Sequence, residues 1–364
     1  VSISGNRALV GAHRDFEPGV GFSGSAYIFE YDGSNWSEQV KLKPSDAPTG
    51  DWFGRAVRLR DNRAIIGSYR SYDAYIFEFD GNNWIEMAKL SPAITETNFQ
   101  LGIAVDIEGD RAVVGTREDG SGAVYVYEYD GIEWNETAQL TASDGEQDDL
   151  FGNAVSLLGD RVVIGAREDD NFSVNSGAAY VFDFDGNFWN ETTKLTASDG
   201  ANSINFAWSV SLSDDRLAIG NNSNHAYVFD FDGIDWLESF KLAPFAGVDA
   251  GGFAESVSLQ DDVLVIGARY AADGGTAFVY QFDGINWSEA TQLTASGGEN
   301  GDQFGNAVSH SGDKVLIGAY SDDDRGTDAG AAYVFDLNST YLDDLIYRNG
   351  FDTDEINRDM YQNR

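Results

Sequence analysis

Seven times along the chain, a short apolar run closes on a glycine followed by a small or polar residue. The glycines are Gly11, Gly67, Gly115, Gly165, Gly220, Gly267 and Gly318. They recur about every 50 residues, and what lies between them reads as strand rather than helix. A strand-only unit of that length cannot bury both of its faces alone. It must stack against copies of itself, and a period near this value is a β-propeller signature. One closed domain over residues 1–338 is therefore expected, with 339–364 as a C-terminal segment.

One copy, Asp149 to Gly200, divides into strands Asn153–Leu158, Arg161–Ala166, Ala178–Phe184 and Trp189–Ala197. Each is rich in β-branched or aromatic residues and bounded by Gly, Asp or Asn. The third and fourth strands are joined by Asp-Gly, as at Asp32-Gly33, Asp80-Gly81, Asp130-Gly131, Asp185-Gly186, Asp232-Gly233 and Asp283-Gly284. That pair suits a tight type I′ hairpin, whose two central residues need positive φ. The third strand carries an aromatic at every second residue, as in Tyr180, Phe182 and Phe184. Period two puts these rings on one face, so they are expected to pack between blades. Trp36, Trp84, Trp134, Trp189, Trp236 and Trp287 hold one register after the turn and read as packing on the outer strand. Trp52 and Trp208 fall outside it, beside the loop that opens a repeat. They are candidates for ligand contact, against the plainer reading that they too pack.

Phe-Gly precedes the first strand at Phe53-Gly54, Phe151-Gly152 and Phe304-Gly305, with partial forms at Phe99 with Gly102, Phe206-Ala207 and Phe253-Ala254. Together with the closing "IGA", this resembles the FG-GAP repeat of integrin α-subunit propellers and their bacterial relatives. The resemblance covers nearly all of Val1 to Leu337. It implies a seven-bladed propeller of four-stranded antiparallel blades, closed by pairing of its N- and C-terminal parts. The first blade begins part-way along its innermost strand. The seventh loses the Asp-Gly and Trp landmarks, so its fourth strand is either absent or supplied near "STYLDDLIY". The calcium-binding members carry an Asp-rich loop between the first and second strands. Here that link is two or three residues, as in Gly159-Asp160, too short to wrap an ion needing 6–8 oxygen ligands, so those sites are not carried over. The tail "DDLIYRNGFDTDE" resembles a short C-terminal signature of some exported bacterial proteins; the alternative is a polar tail.

With 23 basic against 61 acidic residues, the chain carries a formal charge of −38. Nucleic acid and anionic membranes are therefore unexpected partners. No apolar run approaches a membrane helix in length. No cysteine is present, which removes disulfides and thiol chemistry. His13, His225 and His310 fall at different repeat positions and imply no shared active site.

Function is expected in the long loops of one face, where carboxylates crowd. Candidate ligand-binding residues are Trp52, Trp208, Asp149, Asp169, Asp170 and Asp302. Asp322, Asp324 and Asp328, with Asp323, form the densest acidic cluster; calcium binding there is the one cofactor considered, against simple solvated charge. No cofactor is required. By resemblance the leading expectation is a non-catalytic, monomeric module, secreted or on the cell surface, that binds protein or glycan. The alternative is a polysaccharide lyase or hydrolase with its site in the central funnel. An enzyme should gather unlike polar side chains in one deep pocket there; a passive scaffold should line the channel with repeated apolar residues.

Overall fold

The computed structural model describes residues 1–17, 21–46, 50–70, 72–92, 101–116, 120–170, 173–244, 250–323, 329–338 and, for backbone only, 344–348. Seven four-stranded antiparallel sheets follow one another along the chain. They occupy residues 2–42, 53–90, 101–140, 151–195, 209–242, 250–293 and 304–348, here blades 1 to 7. Within each blade, strands A to D run in chain order from the axis outward. In blade 4 these are Phe151–Leu158, Arg161–Ala166, Ala178–Phe184 and Trp189–Leu195, close to the expected division. Blade 7 does have a fourth strand, Asp344–Arg348, paired to Ala331–Val334. The tail beyond it lies outside the described residues.

The glycine that marks a repeat has a steric cause in six of the seven copies; at Gly318 a Cβ would meet only ordinary contacts, the nearest the Val1 side chain at 3.4 Å. A Cβ on Gly11, Gly67, Gly115 or Gly267 would overlap the backbone carbonyl of Gly54, Gly102, Gly152 or Gly305 in the next blade. On Gly165 and Gly220 it would overlap Ala207 and Ala254 at the same position. Neighbouring blades therefore touch backbone to backbone near the axis, and only glycine permits it. The phenylalanine of Phe-Gly is the other half of this joint. Phe151 is fully buried and meets Tyr180 and Phe182 edge-on at 5.4 and 6.1 Å. Its N–H donates to the Ser121 carbonyl of the preceding blade at 2.8 Å. In blade 3 this place belongs to Leu101, paired with Thr116 as Phe151 is with Ala166; Phe99 lies outside the described residues.

Two expectations about local geometry are corrected. The Asp-Gly link is a four-residue loop, not a two-residue type I′ turn: Phe184 pairs directly with Trp189. Only the glycine has positive φ, 96° at Gly186. The aspartate does the rest, because Asp185 Oδ1 accepts the N–H groups of Asn187 and Phe188, both at 2.8 Å. Those bonds hold its carboxyl below the usual range, as they do for Asp32, Asp80, Asp130, Asp232 and Asp283. The two-residue hairpin is instead the A–B link, with φ of 58° at Gly159. The aromatic triplet is also not uniformly buried: Tyr180 and Phe182 are, Phe184 is half-exposed.

That third ring has its own partner. Arg111 in strand B of blade 3 lies over Phe184 at 4.7 Å and Trp189 at 4.9 Å in blade 4. Arg7, Arg63, Arg161 and Arg216 repeat the stack on the following blade, and Lys314 of blade 7 covers Tyr31 of blade 1. Blade 6 has Val263 there, and the next blade has Leu337 in place of the ring; both pack on the same apolar cluster.

The ring closes between the two ends of the chain. Around the axis, strand A of one blade donates an N–H to a side chain of the blade before: Leu59 to Ser2, Leu212 to Ser156, Leu259 to Ser211. Ile3 to Ser309 Oγ, 3.1 Å, completes the circuit. Ile3, Ala8, Val10, Tyr27 and Phe29 of blade 1 pack there on Leu316, Ala332 and Val334 of blade 7.

Candidate functional site

At the loop face, the channel opens into a cavity of about 350 Å³. Two repeat positions furnish most of its polar wall. The first is the residue after Phe-Gly: Arg55, Ile103, Asn153, Trp208, Glu255 and Asn306 in blades 2 to 7. Strand A, or in blade 5 the residue just before it, puts each of these at the rim, beside the backbone joint just described. The second is the residue after the strand B signature, which gives His13, Arg167, Arg269 and Tyr320. The scaffold repeats, but its rim residues differ.

Across blades 4 to 7 these side chains interlock. Arg167 lies over the Trp208 ring at 4.1 Å. Asn153 accepts the Arg167 N–H at 3.0 Å and donates to the Ala207 and Trp208 carbonyls. Arg269 meets Glu255 at 2.6 Å and donates to Asn306 Oδ1 at 2.9 Å. Burial pushes the Glu255 carboxyl up, and Arg269 and Arg167 oppose that shift. The residues before Trp208 and Glu255, Ala207 and Ala254, hold left-handed φ of 64° and 70°, a region alanine adopts at a cost.

Blades 7, 1 and 2 supply an arc of rings. Tyr69 stacks on Trp52 at 5.7 Å, Trp52 meets His13 at 5.6 Å, and His13 stacks on Tyr320 at 5.6 Å with 8° between planes. Burial, then Arg55 and Arg14, pushes the His13 imidazole down to about 3, so it carries no charge at neutral pH.

Of the residues singled out from sequence, Trp208 lines the cavity and Trp52 stands in the ring arc beside it. The acidic candidates sit elsewhere. Asp169 is buried and accepts from Tyr180 Oη and Lys194 Nζ at 2.7 and 2.8 Å. Asp149 and Asp302 are buried too; they accept the N–H groups of Glu146 and Glu299 through Oδ2, each at 2.7 Å. Asp322 is buried against Tyr333 Oη at 2.8 Å. Asp170 is exposed; Asp324 and Asp328 lie outside the described residues. Among the described residues, no group of three or more His, Asp or Glu is placed to hold a metal ion. Sequence reasoning missed Arg55, Glu255, Arg269 and Asn306. Superposing the copies would have found them, since the residues after Phe-Gly and after the strand B signature change character from blade to blade.

Set against models of known families, the chain matches the FG-GAP repeat over residues 36–77, 84–127, 134–182, 189–229 and 287–335, more than half its length. It belongs to the FG-GAP repeat family. Each FG-GAP match starts at the outer-strand tryptophan of one blade and runs through strand C of the next. The longest unmatched stretch, 230–286, contains strand D of blade 5 and strands A to C of blade 6, with its Phe253-Ala254 and Val263. No curated protein matches the chain. Among solved structures it is similar to Sqt1 of Saccharomyces cerevisiae, with 10% identity, 96% of this chain and 86% of that one covered, and a TM-score of 0.57. At that identity the likeness is one of fold alone.

Proposed function

We propose that this FG-GAP propeller is a non-catalytic binding module that takes a glycan at the mouth of its central channel, and that it works outside the cell or at its surface, as the resemblance to cell-surface propellers suggests. The observation that carries the reading is the break in periodicity: one repeat position supplies Arg55, Asn153, Trp208, Glu255 and Asn306 to a single cavity. A pure scaffold has no use for unlike polar groups there. A half-buried tryptophan beside hydrogen-bonding amides and charges is the composition that sugar rings exploit, with an apolar face for the ring and polar groups for its hydroxyls. The cavity is at the small end of ligand pockets, which favours a short sugar segment over a folded partner.

The same pocket sustains a second reading, an enzyme acting on that glycan. Binding is preferred on the chemistry of the titratable groups. Glycoside hydrolysis ordinarily needs two carboxylates flanking the bond. Among the described residues the cavity is lined by two carboxylates and both are engaged, Glu255 by Arg269 and Asp15 by Lys41, Ser25 and Tyr27. His13, uncharged at neutral pH with so low a pKa, is a weak base. A glycan-binding screen, run with and without calcium, tests the proposal. The wild type is expected to retain a defined subset of glycans, and Trp208→Ala to weaken retention roughly tenfold or more without lowering the melting temperature. Retention of none refutes it; turnover of a retained glycan installs the enzyme reading.

A further inference from the structure

In so acidic a chain, arginines of the scaffold find carboxylates: Arg7 with Glu30, Arg58 with Asp106, Arg60 with Glu108, Arg63 with Glu78 and Asp110, Arg111 with Glu128 and Asp160, Arg161 with Asp183, Arg216 with Asp230 and Asp262. Arg14, Arg55 and Arg70 have no such partner among the described residues. They are gathered in one place. Arg14 lies 5.7 Å from the Trp52 and Tyr320 rings, Arg70 lies over Trp52 at 4.2 Å, and Arg55 and Arg14 line the cavity. Crowding in the funnel works against the charge of Arg55, Tyr320 and Tyr69 favour it, and Arg269 and Arg14 oppose it, while the residue keeps an exposed surface. With 61 acidic side chains in the chain, these three exposed guanidinium groups stand together with no carboxylate partner among the described residues, open to an incoming anion.

The net charge of −38 does not cancel this local field. Screening at physiological salt falls off over about 8 Å, so carboxylates on the outer blades are largely silent at the axis. Within the mouth, Arg14, Arg55, Arg167 and Arg269 face Glu255 and an Asp15 already engaged by Lys41 at 2.5 Å. Guanidinium groups present paired N–H donors in a plane that matches a carboxylate or sulfate.

We propose that the channel mouth is selective for an anionic saccharide, whose carboxylate or sulfate ester is held by Arg55 with Arg14 while the sugar ring lies against the aromatic wall. This rests on the glycan-binding reading and names the chemical class. Calorimetric titration tests it with three probes of matched length: a neutral oligosaccharide, one carrying uronic-acid carboxylates and one carrying sulfate esters. At least one acidic probe is expected to bind about tenfold or more tightly than the neutral one. That margin should shrink as salt rises and vanish in Arg55→Gln, while Arg55→Lys retains part of it. Arg14→Gln serves where Arg55→Gln fails to fold. Whether the uronic or the sulfated probe binds better identifies the anion. Equal binding of neutral and acidic probes, or an Arg55→Gln variant with the full margin, overturns this inference and leaves the glycan reading standing. No binding of any probe removes both.

Discussion

At the joint between blades 3 and 4, Arg111 lies over Phe184 and Trp189, and Gly115 leaves room for the carbonyl of Gly152. The same two contacts recur at most other joints. On strand A at the channel mouth, one and the same repeat position holds arginine, isoleucine, asparagine, tryptophan, glutamate and asparagine in turn. The first set is constrained by the neighbouring blade, which is itself a copy, so it must repeat. The second lines the cavity, where its partners are unlike side chains such as Arg167 and Arg269 rather than a repeated contact, so it is free to vary. In a repeat protein the fold resides in what recurs and the specificity in what departs from the pattern.

The largest expected effect breaks the recurring side. Gly267→Ala drives a methyl group into the Gly305 carbonyl and should cost roughly 3 kcal/mol or more, because backbone rather than a flexible side chain must yield. Chemical denaturation measures this, and ligand binding should fall only with the folded fraction. Arg111→Ala comes next. Loss of its ring stack and its pairs to Glu128 and Asp160 should cost about 1–2 kcal/mol. Val263→Arg should give no matching gain, because Leu337 offers it no ring.

The smallest effect sharpens the comparison at Asp149, whose bond to a loop N–H recurs at Asp302. Burial, then the charges of Asp169, Asp170 and Glu146, pushes its carboxyl up to about 6, against the N–H of Glu146 that pulls it down. The folded state therefore holds the proton more tightly than the unfolded chain, and stability falls as pH rises from about 4 through about 6. Asp149→Asn keeps the acceptor oxygen and removes the charge. It should stabilise the fold by of the order of 1 kcal/mol above pH 6, once solvent screening is allowed for. The gap should close below pH 4, and melting curves across that range check it.

The recurring side was legible because period-two aromatics and punctuating glycines are local signals; the strands of blade 4 needed almost no adjustment. The hairpin chemistry was legible only in part, since an aspartate accepting two N–H groups and a two-residue turn both read as Asp-Gly. The arginine stack was hidden because it joins residues of different copies, as Arg111 joins Phe184 across blades. The mouth was obscured by charge. Carboxylates such as Asp149, Asp169 and Asp302 look like ligands in an acidic loop, yet they turn inward to hold that loop to the sheet. Only Trp208 drew notice from both directions, by falling outside the tryptophan register and by lining the cavity.

Among the described residues, each four-stranded sheet takes its strands from one uninterrupted stretch of chain, and no terminal strand is lent across the joint where Ile3 meets Ser309. The circle is shut without a clasp, by the same kind of adhesion that joins any two sectors. Gaining or losing a whole sector by gene duplication or deletion therefore requires no rethreading, only that the curvature between neighbours relax to the new count.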